Sequence, residues 1–205
     1  MRRGLWWAAL ALAACGEPAD GREIIGEGLR RVAVDEVYRV CWQQTHAGAV
    51  EVAGGRLEVQ RAGIVDGDVT VDAAGTAGVE WGQVVGVFTA SDDATAEVRY
   101  ASLDDAAAVE SGGSLAVLFS EVGGPVTATD AASLTVSQST LGATVTVNGC
   151  DAVELFDTDV SGDVIIDGCD DVNLEFLRVD GSVTITNATT CRISNVDATN
   201  QASCP

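Results

Sequence analysis

The 205 residues include 11 Arg, no Lys and 31 Asp or Glu, giving a net charge of −20 at neutral pH. So acidic a surface repels polyphosphate, which excludes nucleic acid as a partner. Aromatics make up only 5% of the chain, and the dominance of Val, Ala and Gly suits a thin core of small strand-formers rather than a wide globular centre.

Met1, Arg2 and Arg3 form a short basic stretch, and residues 5–14 are apolar but too few to span a bilayer as a helix. Leu12-Ala13-Ala14 then precede Cys15. This stretch reads as an export signal over residues 1–15, and Leu12-Ala13-Ala14-Cys15 resembles the lipobox of bacterial lipoproteins. The resemblance implies that Cys15 is acylated and becomes the mature N-terminus, a membrane anchor. Gly16, where Asp would favour the inner membrane, implies the outer one. Loss of Arg2 and Arg3 would leave nine Arg against 31 acids, or −22.

Residues 16–28 mix Gly, Glu, Asp and Pro18 and read as a tether. Within residues 22–31, Ile24, Ile25 and Leu29 suit a short capping helix.

From Val65 onward, apolar residues recur every 19 positions. One column is Val65, Val84, Leu103, Val122, Leu141, Val160 and Val179. Others run through Val69 and Phe88, Val71 and Ala90, and Val79 and Val98, while Gly67, Gly86, Gly124, Gly162 and Gly181 mark corners. A short fixed period with apolar pairs at i, i+2 is the pattern of stacked short strands. Uneven anchor spacing departs from the six-residue beat of left-handed hexapeptide helices, and parallel crossovers are right-handed. The expected fold is all-β: a right-handed, single-stranded parallel β-helix with 19 residues per coil and eight to nine coils. It spans residues 29–199, with the last six residues, 200–205, as a C-terminal cap. Val164-Ile165-Ile166-Asp167-Gly168-Cys169-Asp170-Asp171-Val172-Asn173-Leu174 resembles the bacterial parallel β-helix repeat proteins. That likeness concerns shape, since lyases, hydrolases, adhesins and passive surface proteins share it.

Cys150 and Cys169 stand one period apart, and equivalent residues on adjacent coils lie ~4.8 Å apart, within disulfide reach. A bond between coils and a reduced pair of packed thiols are both open at this point. Cys191 and Cys204 suit a bond that fastens the tail, leaving Cys41 as the odd thiol.

Trp81, Tyr100 and Phe119 also stand one period apart. Strand alternation from Val79, Val98 and Val117 points them inward as a buried ladder; the alternative is an exposed platform for sugar rings. Glu80 and Arg99 are placed to pair across coils. The threonine column Thr70, Thr89, Thr127, Thr146 and Thr184 is broken by Ala108 and Ile165, unlike a flat ice-binding array.

Glycoside cleavage needs paired carboxylates across a cleft. Asp151, Asp157, Asp159, Asp163, Asp167, Asp170, Asp171 and Asp180 are candidates, but they read as turn formers. His46 is the only histidine, and in the register of Val65 and Val84 it reads as a corner residue. No phosphate loop, Gly-x-Ser-x-Gly elbow, Cys-x-x-Cys pair or Gly-Gly-x-Gly-x-Asp repeat is present, so neither cofactor nor metal is expected. The functional expectation is a non-enzymatic, lipid-anchored envelope scaffold that contacts an envelope protein or glycan. The alternative is a β-helix that binds or cleaves carbohydrate.

Overall fold

The computed structural model describes residues 23–200 and Cys204. All regular structure among them is β-strand, wound into a parallel β-solenoid of about nine turns. Each turn has three faces: a short one (Gln83–Val84, Ser102–Leu103), a middle one (Phe88–Ala90, Ala107–Glu110) and a broad one (Thr95–Arg99, Ser114–Leu118). Equivalent strands pair in parallel at an offset of 19 residues, as in Gln83 with Ser102, Phe88 with Ala107 and Thr95 with Ser114.

The register holds because the inward positions of all three faces are apolar. Val84, Phe88, Val98, Leu103, Val109, Val117, Leu134 and Leu155 are among side chains with essentially no solvent exposure, in one continuous core. Burying each such side chain contributes roughly 1.5–3 kcal/mol, and a slip of one residue along a strand would turn its whole set outward. The first coils depart from the 19-residue beat: Arg30 pairs with Val50 and Arg56 with Thr76. Three residues separate Asp72 from Thr76 where two separate Ala53 from Arg56, and the difference is recovered where Glu80 leads to Gln83.

The corners are two to four residues long until adjacent faces fuse into single strands such as Val126–Ser137 and Val145–Phe156. Trp81, Tyr100, Phe119, Gln138, Asp157, Phe176 and Asn195 all have φ between 47° and 56°. A left-handed residue therefore turns every coil from broad to short face. Space makes the opposite demand at the short-to-middle corner, where a Cβ on Gly124 would lie 2.7 Å from the backbone N of Ala106 and one on Gly162 2.6 Å from that of Thr144.

Two expectations at the N-terminal end are corrected. Of the stretch read as tether and capping helix, residues 16–22 lie outside the described residues, and the remainder holds strands Glu23–Glu27 and Arg30–Val32, which pair with Gln44–Ala47 and Val50–Ala53. Parallel pairing with the next coil outweighed a helical spacing that rested on three apolar residues. The expected signal over residues 1–15 and its lipid site Cys15 lie outside the described residues.

Candidate functional site

The aromatic column is the feature that departs most from its expected place. Trp81, Tyr100 and Phe119 are 57%, 39% and 43% exposed, so they are not the buried ladder that alternation predicted. Each sits at the left-handed corner, which rotates the side chain out of strand alternation and onto the surface. There they stack on one another: Trp81 on Tyr100 at 4.5 Å between ring centroids with planes 12° apart, Tyr100 on Phe119 at 4.9 Å and 17°. The ring faces are thus largely spent on each other. The stack turns ring edges to solvent, and a sugar would have to lie on the terminal faces of Trp81 or Phe119, because spacings this small admit nothing between rings.

Beside this corner, the broad face carries a groove of about 410 Å³ lined by Arg56, Glu58, Gly78, Thr95, Glu97 and Arg99. Gly78 makes it: the residues paired with it on the adjacent coils are Glu58 and Glu97, and a Cβ there would meet nothing within 4 Å. Most of the charges around it are paired with one another, Glu80 excepted. Glu58 takes both Arg39 at 2.7 Å and Arg56 at 2.8 Å, and Glu97 takes Arg99 at 2.7 Å. The expected Glu80–Arg99 pair gives way to this bond within one strand. An isolated Gly inside a strand pattern was the sequence signal for the groove.

The acidic corners bond from coil to coil. Asp68 accepts from the backbone N–H of Val87 at 2.9 Å and Asp163 from that of Ser182 at 2.8 Å. Asp167 accepts from the Thr186 hydroxyl at 2.6 Å and the Asn187 amide at 2.7 Å. Those two donors hold the Asp167 carboxyl below the usual range. Asp130, Asp151 and Asp170 line a second, shallower groove of about 340 Å³. No cluster of three or more His, Cys, Asp or Glu able to hold a metal ion occurs among the described residues.

No family model matches the chain, and no curated protein or solved structure matches it at a significant level.

His46 is 2% exposed and pairs in register with Val65. Its Nε2–H donates to the carbonyls of Gly28 at 3.0 Å and Ala49 at 3.3 Å, which leaves Nδ1 to accept the Tyr38 hydroxyl at 3.0 Å. Both nitrogens are used inside the protein. Burial pushes the Tyr38 phenol up, opposed by the nearby Arg30 guanidinium. Gly26 leaves room for the pair, since a Cβ there would come within 2.7 Å of His46 Nδ1.

Cys150 and Cys169 are joined across adjacent coils with Cα atoms 4.6 Å apart, and Cys191 is joined to Cys204 at 5.6 Å. The alternative of packed thiols at Cys150 and Cys169 is therefore set aside. Cys41 is itself disulfide-bonded and 3% exposed, so it is not the odd thiol expected of it. A polar column was missed altogether. Buried Ser120, Ser139 and Thr158 stand at the inner side of the aromatic corner and donate to the carbonyls of Leu118, Ser137 and Phe156 at 2.7, 2.8 and 2.9 Å. Their 19-residue spacing was its signal.

Proposed function

We propose that this chain is a lipid-anchored envelope protein whose solenoid acts as a non-enzymatic scaffold and interaction surface. The carrying observation is the uniformity of the rod: no corner among the described residues exceeds four residues, so no loop walls a catalytic cleft. The polar groups capable of chemistry are largely engaged in holding coils together, including Asp68, Asp163, Asp167, Glu58 and His46. Cys15, in the lipobox-like sequence, supplies the anchor, which sets the protein at the envelope, on the outer membrane.

Carbohydrate binding is the second reading, favoured by the exposure of Trp81 and Tyr100 next to the Gly78 groove. Against it stands the consumption of their ring faces by mutual stacking. The deciding experiment incubates the mature protein with acidic and neutral polysaccharides, with and without calcium, and reads binding and released products. The scaffold reading expects neither. Saturable binding weakened by Trp81→Ala or Tyr100→Ala, or product release, would replace it with the carbohydrate reading.

A further inference from the structure

The two ends of the solenoid differ. The first coil, strands Glu23–Glu27, Arg30–Val32 and Val37–Val40, pairs on one side with the next coil. Around it Ile24, Leu29, Val34, Val37 and Trp42 are exposed, Val34 at 68% and Ile24 at 60%. The remaining exposed large apolar side chains, Trp81, Val85, Tyr100, Phe119, Ile165 and Phe176, are spread along the rod, and none lies at the C-terminal end among the described residues. There the last strand, Asp197–Asn200, carries polar residues around Ala198, and Cys204 is bonded to Cys191.

Charge divides at the same place. Residues 23–61 hold five Arg against six acids, net −1, whereas residues 62–200 hold three Arg against 23 acids, net −20. The near-neutral part is the first two coils, which span roughly 10 Å of rod at ~4.8 Å per coil. That is about one Debye length at physiological salt. Charges further along the rod are largely screened from a surface touching its N-terminal end, while a rod lying flat would press its acidic length against anionic headgroups.

We propose that the N-terminal coil is a membrane-contact face: Ile24, Leu29, Val34, Val37 and Trp42 enter the headgroup boundary of the bilayer that holds the anchor, and the acidic rod stands away from it. This rests on acylation of Cys15, which excludes Cys15 as the disulfide partner of Cys41. The eight links from Cys15 to Glu23 reach at most ~28 Å when fully extended, so the anchor itself keeps this end near the surface. Exposed apolar groups with an interfacial Trp match the chemistry of that layer. The acyl chains supply affinity and the coil supplies orientation.

Mature chain cut after Ala14 contains Trp42 and Trp81 as its only tryptophans, two coils apart. The test purifies W81F and W42F from membranes, reads the mass of the Cys15 peptide, and reconstitutes each protein into phosphatidylcholine–phosphatidylglycerol vesicles with lipids brominated near the carbonyl end of the acyl chain. The expected result is an acylated peptide, loss of most Trp42 emission in W81F, and little change of Trp81 emission in W42F. Adding Ile24→Ser, Leu29→Ser and Val34→Ser to W81F should restore Trp42 emission with acylation and far-UV circular dichroism unchanged. Acylated protein in which Trp42 is unquenched, or no more quenched than Trp81, overturns the contact face and leaves the anchor standing. An unacylated Cys15 overturns the anchor and the contact face with it.

Discussion

Ser139 is an interior residue whose hydroxyl does two jobs. It accepts the backbone N–H of Ser120 at 3.1 Å and donates to the Ser137 carbonyl at 2.8 Å. Ser139→Ala strands that buried N–H and should cost about 1–3 kcal/mol, read as a lowered midpoint in urea unfolding; an unchanged midpoint would mean that another group satisfies the amide. Asp167 gives a pH prediction of definite sign. Hydrogen bonds from Thr186 and Asn187 favour its charged form in the folded state. Its stabilising contribution is therefore complete above the ordinary Asp pKa of ~3.9 and is lost as pH falls through the lower native value. Asp167→Asn should flatten the acid limb of stability in urea unfolding between about pH 2 and pH 7, whereas an identical pH profile would contradict the assignment.

The legibility of the sequence divides at the corners. Within strands, alternation and the 19-residue beat located Val84, Leu103, Val122 and the other inward columns, because nearly all inward strand positions are apolar. At Trp81, Tyr100 and Phe119 the same alternation misled, because it assumes extended backbone and these residues are left-handed. Gly is the usual sequence mark of that conformation, and the column carries Gln138, Asp157 and aromatics instead. The Ser120–Ser139–Thr158 ladder was equally hidden, since Ser and Thr are at home on exposed strands and turns. The aromatic stack itself should act as a structural clip. Tyr100 is stacked on both sides, so Tyr100→Ala should destabilise by about 1–3 kcal/mol, twice the worth of one aromatic pair, while Trp81→Ala costs about half as much. Thermal unfolding followed by circular dichroism separates these; equal losses would argue that the rings do not act through stacking. Gln138→Gly relieves a left-handed non-glycine and should cost little, whereas Gln138→Val should destabilise by about 1 kcal/mol or more.

Across the whole molecule, each coil touches chiefly its neighbours, so the rod behaves as a nearly one-dimensional stack. Deleting one complete coil, residues 126–144, joins Pro125 to Val145, which occupies the place of Val126 one coil later. The shortened chain should keep its strand spectrum and lose only ~4.8 Å of length, whereas deleting nine residues from the same place should unfold it. Small-angle scattering and circular dichroism distinguish the outcomes, and equal damage from both deletions would contradict independent stacking. The same linearity leaves the two ends different: a near-neutral first coil with exposed apolar side chains around it, and a last coil fastened through Cys191 and Cys204. The surface features along the rod are the aromatic corner and the Gly78 groove.

The proposed display from a membrane depends on one covalent bond, at Cys15. Acylation of Cys15 and a disulfide from Cys15 to the bonded Cys41 are mutually exclusive fates of one sulfur, and they differ in mass and in retention by detergent. The direct measurement is mass spectrometry of the N-terminal peptide of the protein purified from membranes, alongside Cys15→Ala. The expected result is a mature chain beginning at Cys15 with a thioether-linked diacylglyceryl group, absent from the variant, which leaves the membrane fraction. A chain retaining residues 1–14, or a mature chain whose Cys15 carries no lipid, would contradict it.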